Sequence, residues 1–129
     1  PKSVYMYKDK GGKLTMGPTW DYDWKTFRPH TEFKSNKHLY YDRLFQDPEF
    51  KARVKERWNL FRSAFQTIPD YIDAEADAIR NSEVMNHALW PITQNTNGDI
   101  NLPFDEAVAR MKKSYSDKMN WMDRTINAW

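Results

Sequence analysis

The sequence predicts an α+β fold that is predominantly α, in which an N-terminal β-hairpin packs on an antiparallel helical bundle. Two observations support the prediction. Two short runs of β-favouring residues joined by a Gly-Gly turn open the chain, and long segments further on repeat apolar residues at every third or fourth position. A length of 129 residues suits one domain, so we expect residues 1–129 to be a single domain or a fragment of a longer protein.

The hairpin, with the Asp-Tyr-Asp sequence that follows it, is predicted over residues 1–24. Residues 3–8 and 13–16 form its strands, and Asp9-Lys10-Gly11-Gly12 forms the turn, because glycine readily adopts the positive φ that tight hairpin turns require. Gly17-Pro18 then ends the ladder, since proline has no amide hydrogen to donate. Residues 25–37 show no periodicity and are predicted to be a polar loop.

Residues 38–129 are predicted to form a helical subdomain. A short helix is expected at residues 38–45. Asp47-Pro48-Glu49 then marks a helix start, with a capping Asp, proline at the first helical position and an acid near the positive end of the helix dipole. The apolar stripe that continues this helix comprises Phe50, Val54, Trp58, Phe61 and Phe65.

Two more helices are expected further along the chain. The first starts near Pro69, has a kink or break at Asn81-Ser82 and ends before Pro91, and a connection over residues 91–102 turns at Asn97-Gly98. The final helix has the most regular pattern in the sequence. Its apolar positions are Phe104, Val108, Met111, Tyr115, Met119, Met122, Ile126 and Trp129.

The charges of the chain are unevenly distributed. Residues 1–64 hold 14 Lys and Arg against 8 Asp and Glu, whereas residues 65–129 hold 6 against 10. A basic half can attract phosphate-rich ligands, although two solvated faces of one domain are the simpler explanation of the asymmetry. The basic residues between positions 51 and 62 do not gather on one helical face, so we expect no nucleic-acid partner.

Several classes of site and segment are excluded. The chain has no cysteine, which excludes disulfides, thiolate metal sites and cysteine nucleophiles. It has no run of 18 apolar residues, so no transmembrane segment is predicted. The three histidines lie on different elements without metal-ligand spacing, and Walker-type and Gly-x-Gly-x-x-Gly loops are absent from the sequence.

Trp20-Asp21-Tyr22-Asp23-Trp24 is the candidate functional segment. In an extended backbone, Asp21 and Asp23 would lie on the same side, about 6–7 Å apart. Two such carboxylates suit a divalent cation bound to phosphate, and the same pattern also suits solvated residues at a strand end. The flanking aromatic residues can stack on a sugar ring, which leaves glycan binding as a further hypothesis.

The chain resembles the C-terminal half of the CotH kinase family of bacterial spore-coat, secreted and surface-attached proteins. The resemblance covers nearly the whole sequence in order, and it rests on segments Lys2–Leu14, Gly17–Trp24, Leu44–Trp58, Leu89–Ile92 and Lys118–Asp123. It implies the C-terminal part of an atypical protein-kinase-like fold. It also implies a parent protein that transfers phosphate from ATP to Ser or Thr of a protein substrate, with Mg²⁺ or Mn²⁺, in an extracellular, cell-surface or spore-coat location.

Carried onto this sequence, the resemblance makes Asp21 and Asp23 the candidate metal ligands. Lys25 and Arg28 are candidate phosphate contacts. The nucleotide-gripping Lys and the catalytic residues would lie upstream of Pro1, so we expect this chain alone to be inactive as an enzyme. One departure concerns Arg28, since the family tends to have Gly at this position. The rival hypothesis is a non-catalytic surface or secreted interaction module that keeps the architecture without the chemistry.

Overall fold

A computed structural model of the protein describes residues 3–22, 26–27, 32–33, 37, 39–93 and 101–129. In this part of the chain, two short strands are followed by four helices. The strands are β1 (Met6–Tyr7) and β2 (Thr15–Met16), and the helices are α1 (Leu39–Leu44), α2 (Pro48–Gln66), α3 (Ile68–Leu89) and α4 (Phe104–Asn127).

The predicted hairpin is present, with strands shorter than expected. β1 and β2 pair antiparallel, with Met6 opposite Met16 and Tyr7 opposite Thr15. The turn closes where the Gly12 amide donates to the Asp9 carbonyl at 2.9 Å, and Gly11 takes a φ of 75°, a conformation that favours glycine. These two strands are the complete sheet within the described residues.

Helix α2 starts where the capping pattern predicts. The Asp47 side chain accepts a hydrogen bond from the Glu49 amide at 2.8 Å, and Pro48 occupies the first helical position. The predicted apolar stripe is only partly buried, because Trp58 is 7 % exposed whereas Phe61 and Phe65 keep 44 % and 39 % of their surface in solvent. This helix therefore leaves an apolar face open.

Helix α3 corrects one prediction, because it runs without interruption through Asn81-Ser82 to Leu89. Asn and Ser cost a helix only a few tenths of a kcal/mol each relative to better helix formers. Beside them, the exposed Arg80 guanidinium bonds Asp105 of α4 at 2.9 Å and Asp77 of the same helix at 3.3 Å. The predicted break at Asn81-Ser82 is therefore wrong.

Helix α4 is the partner against which α2 and α3 both pack. Lys55 of α2 donates to the carbonyl of Asn127, at the end of α4. Further along α2, the carbonyl of Phe65 accepts from Tyr115, which comes earlier in α4. The residue numbers therefore rise along α2 as they fall along α4. Helix α3 contacts the earlier part of α4 in the same antiparallel order. Asp73 pairs with Lys112, and Arg80, further along α3, pairs with Asp105. Both helices thus run antiparallel to α4, one after the other, which confirms the predicted antiparallel packing and the mainly helical α+β class.

The core is small and lies between these three helices. Its buried apolar side chains are Trp58, Ile72, Ala76, Tyr115 and Ile126. Aromatic contacts extend it toward the loop and α1. Phe27 stacks on Tyr115 with ring centroids 5.9 Å apart, and Phe33 lies 4.8 Å from Trp121. No helix in the described ranges is both long enough and apolar enough to cross a membrane.

Several predicted features fall wholly or partly outside the described residues. The turn at Asn97-Gly98 is among them, together with most of the loop predicted over residues 25–37. The short helix expected at residues 38–45 is confirmed as α1, Leu39–Leu44.

Candidate functional site

Asp21 lies five residues beyond the end of β2, where the chain leaves the hairpin. Its backbone adopts the left-handed region, with a φ of 60°. Asp is among the residues that tolerate this conformation best, because its short polar side chain can bond locally. The chain therefore turns at Asp21, and the alternation that an extended segment would give does not hold through this residue.

The Asp21 carboxylate is held by one hydrogen bond within the described chain. The Ser3 hydroxyl donates to its Oδ2 at 3.3 Å, which links the start of the hairpin to its exit. This hydrogen bond lies at the protein surface, and Asp21 is exposed. An ionised carboxylate has about four acceptor sites, so most of those on Asp21 are left unused by the residues that the structure describes.

Tyr22, which follows Asp21, lies near Tyr41 of α1. Its carbonyl accepts a hydrogen bond from the Thr26 hydroxyl at 2.6 Å, and its side chain shares a cavity of about 170 Å³ with Tyr41 of α1. Burial, followed by the proximity of Tyr22, raises the pKa of Tyr41 above its ordinary value. Tyr22 at the hairpin exit and Tyr41 of α1 thus line the same cavity.

The structure places one of the four predicted site residues, Asp21. Asp23, Lys25 and Arg28 lie outside the described residues, as does Trp24. Their roles as metal ligand, phosphate contacts and sugar platform stay predictions. Trp20 and Tyr22, the other aromatic residues of the segment, are 59 % and 43 % exposed.

The donor set at Asp21 fits a cation that is held mainly through phosphate and water. Magnesium typically binds proteins through one or two carboxylates plus substrate phosphates, and it keeps several waters. Within the part of the chain that the structure describes, no group of three or more His, Asp or Glu residues could hold a metal ion. Together with the other described residues, the exposed Asp21 carboxylate therefore suits a metal–nucleotide complex better than an all-protein metal cage.

Ser3 and Tyr41 are two contacts of this segment that the sequence reasoning missed. The hairpin register carries a signal for Ser3, because pairing Met6 with Met16 places residue 3 across from residue 19, two positions before Asp21. No sequence signal identifies Tyr41, since α1 reaches the hairpin only through the tertiary fold.

The comparisons with known proteins give one match. No curated protein and no solved structure matches the chain. The family model described as CotH kinase protein matches residues 1–127. Because that match covers nearly all of the 129 residues and includes the hairpin, Asp21 and all four helices, the chain belongs to the CotH kinase family.

Proposed function

We propose that this chain forms the metal-binding hairpin and the helical part of a CotH-like protein kinase, which transfers phosphate from ATP to Ser or Thr of a protein substrate. Family membership supports a kinase-like role at the level of the family. The observation that carries the proposal for this chain is the exposed Asp21 carboxylate at the hairpin exit, most of whose acceptor sites are unused by the described residues.

In this proposal, Asp21 positions the divalent cation of a metal–ATP complex. Bound Mg²⁺ or Mn²⁺ would neutralise the charge that develops on the phosphate oxygens, which is the main requirement of phosphoryl transfer. Ser3 orients the carboxylate through its hydrogen bond, and Tyr22 lines a cavity that Tyr41 of α1 also lines.

The remaining assignments follow from the resemblance. Asp23 is proposed as a second ligand, and Lys25 and Arg28 as contacts of the phosphates. The catalytic residues are assigned to a part of the parent protein that this chain does not include. The proposed location is extracellular, at the cell surface or in the spore coat of a bacterium.

Phosphorylation by the full-length polypeptide that carries this sequence tests the proposal. Asp21→Asn keeps the shape of the side chain and removes its charge. We expect it to lower the rate of Mn²⁺-dependent phosphate transfer by about 100-fold or more, the size typical of losing one charge-stabilising group. Asp9→Asn is the matched control, because Asp9 is an exposed acid of the same hairpin.

Two outcomes would count against the kinase proposal. Equal activity of Asp21→Asn and the unmodified protein would remove Asp21 from the mechanism. Complete absence of phosphate transfer by the unmodified full-length protein, with Mg²⁺ and with Mn²⁺, would favour a non-catalytic interaction module.

Glycan binding is a second candidate, because Trp20 and Tyr22 expose much of their aromatic surface. A glycan array would test it with Trp20→Ala as the variant and with Tyr40→Phe, an exposed aromatic position of α1, as the control. Binding that is lost only in Trp20→Ala would support this candidate, and the absence of any bound glycan would end it.

A further inference from the structure

An apolar groove with a basic rim runs along the open face of α2. Its volume is about 640 Å³. Its apolar lining includes Phe50, Val54, Phe61, Phe65 and Met122. Phe61 and Phe65 keep 44 % and 39 % of their surface exposed, so the groove is open to a partner.

Two arginines form the basic rim of this groove. Arg53 and Arg57 are exposed, and the Arg57 guanidinium lies 5.2 Å from the centre of the Phe61 ring. Neither takes part in the ion pairs found among the described residues, in contrast to Arg62 and Arg80. Two cations that pair with no carboxylate among the described residues, beside an apolar surface, favour an occupant that is apolar in the centre and acidic at its edge.

The outer face of α3 is apolar along its centre and acidic at its edge. We use this name for six exposed positions that recur at steps of three and four residues, namely Tyr71, Ala74, Ala78, Asn81, Met85 and Ala88. The largest of them, Tyr71 and Met85, are 60 % and 69 % exposed. Such a spacing is the pattern of a helix that packs against another element along one seam.

Acidic side chains border the outer face of α3. Asp70 and Glu75 are both exposed and lie next to Tyr71 in the helix. The Glu75 carboxylate accepts a hydrogen bond from the Tyr71 hydroxyl, which raises the pKa of Tyr71. A face with an apolar seam and two acids at one end is the complement of the basic-rimmed groove.

We propose that the basic-rimmed groove of one copy of this chain binds the outer face of α3 of a second copy. Arg53 and Arg57 would then lie opposite Asp70 and Glu75. The two surfaces belong to different helices, so each copy can give one and receive one, and the contact is head-to-tail. The uneven charge of the chain, with 14 cations and 8 anions in residues 1–64 against 6 and 10 afterwards, favours the same orientation.

Sedimentation equilibrium from micromolar to millimolar concentration tests this proposal on the chain itself. We expect the weight-average mass to rise with concentration beyond twice 15.5 kDa, and to fall in high salt, which screens exposed charges. Arg53→Glu/Arg57→Glu should weaken the association about tenfold or more. Asp70→Lys/Glu75→Lys should weaken it similarly, and the chain that carries all four substitutions should recover it, because the charges are then complementary again.

Lys8→Glu/Lys10→Glu is the matched control, since it makes the same change in net charge on the exposed hairpin and should leave association unchanged. Far-UV circular dichroism verifies that each variant keeps its helices. A wild-type chain that stays monomeric, or that stops at a dimer, would overturn the head-to-tail proposal. Failure of the fourfold variant to associate, or an equal loss in the control, would overturn the pairing of these charges.

Discussion

Trp58 of α2 donates its indole N–H to Oδ1 of Asp123 in α4 at 3.0 Å. The same carboxylate accepts hydrogen bonds from Arg62 at 3.1 Å and from the side chain of Asn127 at 3.1 Å. Trp58 is 7 % exposed, so its N–H has little access to water. Asp123 therefore holds α2 and α4 together through a buried donor and a partly exposed ion pair.

Substitution Asp123→Ala should lower the free energy of unfolding by about 1–3 kcal/mol, because it leaves a buried indole N–H without an acceptor. Urea unfolding followed by circular dichroism measures the change. Asp117→Ala is the matched control on the same helix. It removes only an exposed pair with Lys113, which is worth about 0.3–0.5 kcal/mol. Equal losses in the two variants would contradict a special role for Asp123.

Because the Tyr115 side chain is buried, we expect the protein to lose stability at alkaline pH. The Tyr115 hydroxyl donates to the Phe65 carbonyl at 2.9 Å, and burial raises its pKa above the ordinary value of 10. Below pH 10 the tyrosine is protonated in both states. As the pH rises further, the unfolded chain loses this proton first, which favours unfolding.

The free energy of unfolding should therefore fall more steeply above pH 10 in the wild-type chain than in Tyr115→Phe. Chemical unfolding at a series of pH values measures this difference. Tyr40→Phe, which changes an exposed tyrosine of α1, should retain the wild-type slope. A Tyr115→Phe variant with the wild-type slope would show that Tyr115 is not responsible for the alkaline loss.

Local signals in the sequence predicted the elements well. The start of α2 at Asp47-Pro48, the end of α3 before Pro91 and the hairpin turn at Gly11-Gly12 each depend on residues that are neighbours in the chain. The continuity of α3 was missed because Asn81-Ser82 was given too much weight, although Asn and Ser disfavour a helix only slightly. The stepwise packing of α2 and α3 along α4 was missed because it depends on contacts between helices, which no local pattern encodes.

At the candidate site too, the sequence predicts the features that depend on neighbouring residues and not those that depend on residues far apart in the chain. The position of Asp21 after the hairpin follows from the sequence. Its left-handed backbone does not, because Asp adopts both extended and left-handed conformations. Its partner Ser3 is 18 positions away and becomes a neighbour only through strand pairing.

The cap of α2 gives a third prediction. Asp47→Ala should destabilise the chain by about 1 kcal/mol, because the Glu49 amide loses its acceptor at the helix N-terminus. Thermal unfolding measures the effect as a lower Tm. Asp42→Ala, which changes an exposed acid inside α1, should have a smaller effect. A larger effect at Asp42 than at Asp47 would contradict the capping role.

The hydrogen bond between Ser3 and Asp21 gives the last prediction, which rests on the proposed kinase function. At 3.3 Å and on the surface it orients the carboxylate weakly, so its net contribution is about 0.5 kcal/mol. In the full-length polypeptide, Ser3→Ala should raise the Mn²⁺ concentration for half-maximal phosphate transfer by about twofold, which is the same energy expressed as a ratio.

Comparing three variants distinguishes a residue that orients the carboxylate from the residue that binds the metal. Asp21→Asn should have a far larger effect than Ser3→Ala, and Ser63→Ala, at an exposed serine of α2, should have none. A metal requirement that changes in Asp21→Asn but not in Ser3→Ala would mean that the carboxylate needs no orientation by Ser3. A Ser3→Ala variant as impaired as Asp21→Asn would show that the hydroxyl does more than orient its neighbour, since a bond of this length and exposure is too weak to account for such a loss.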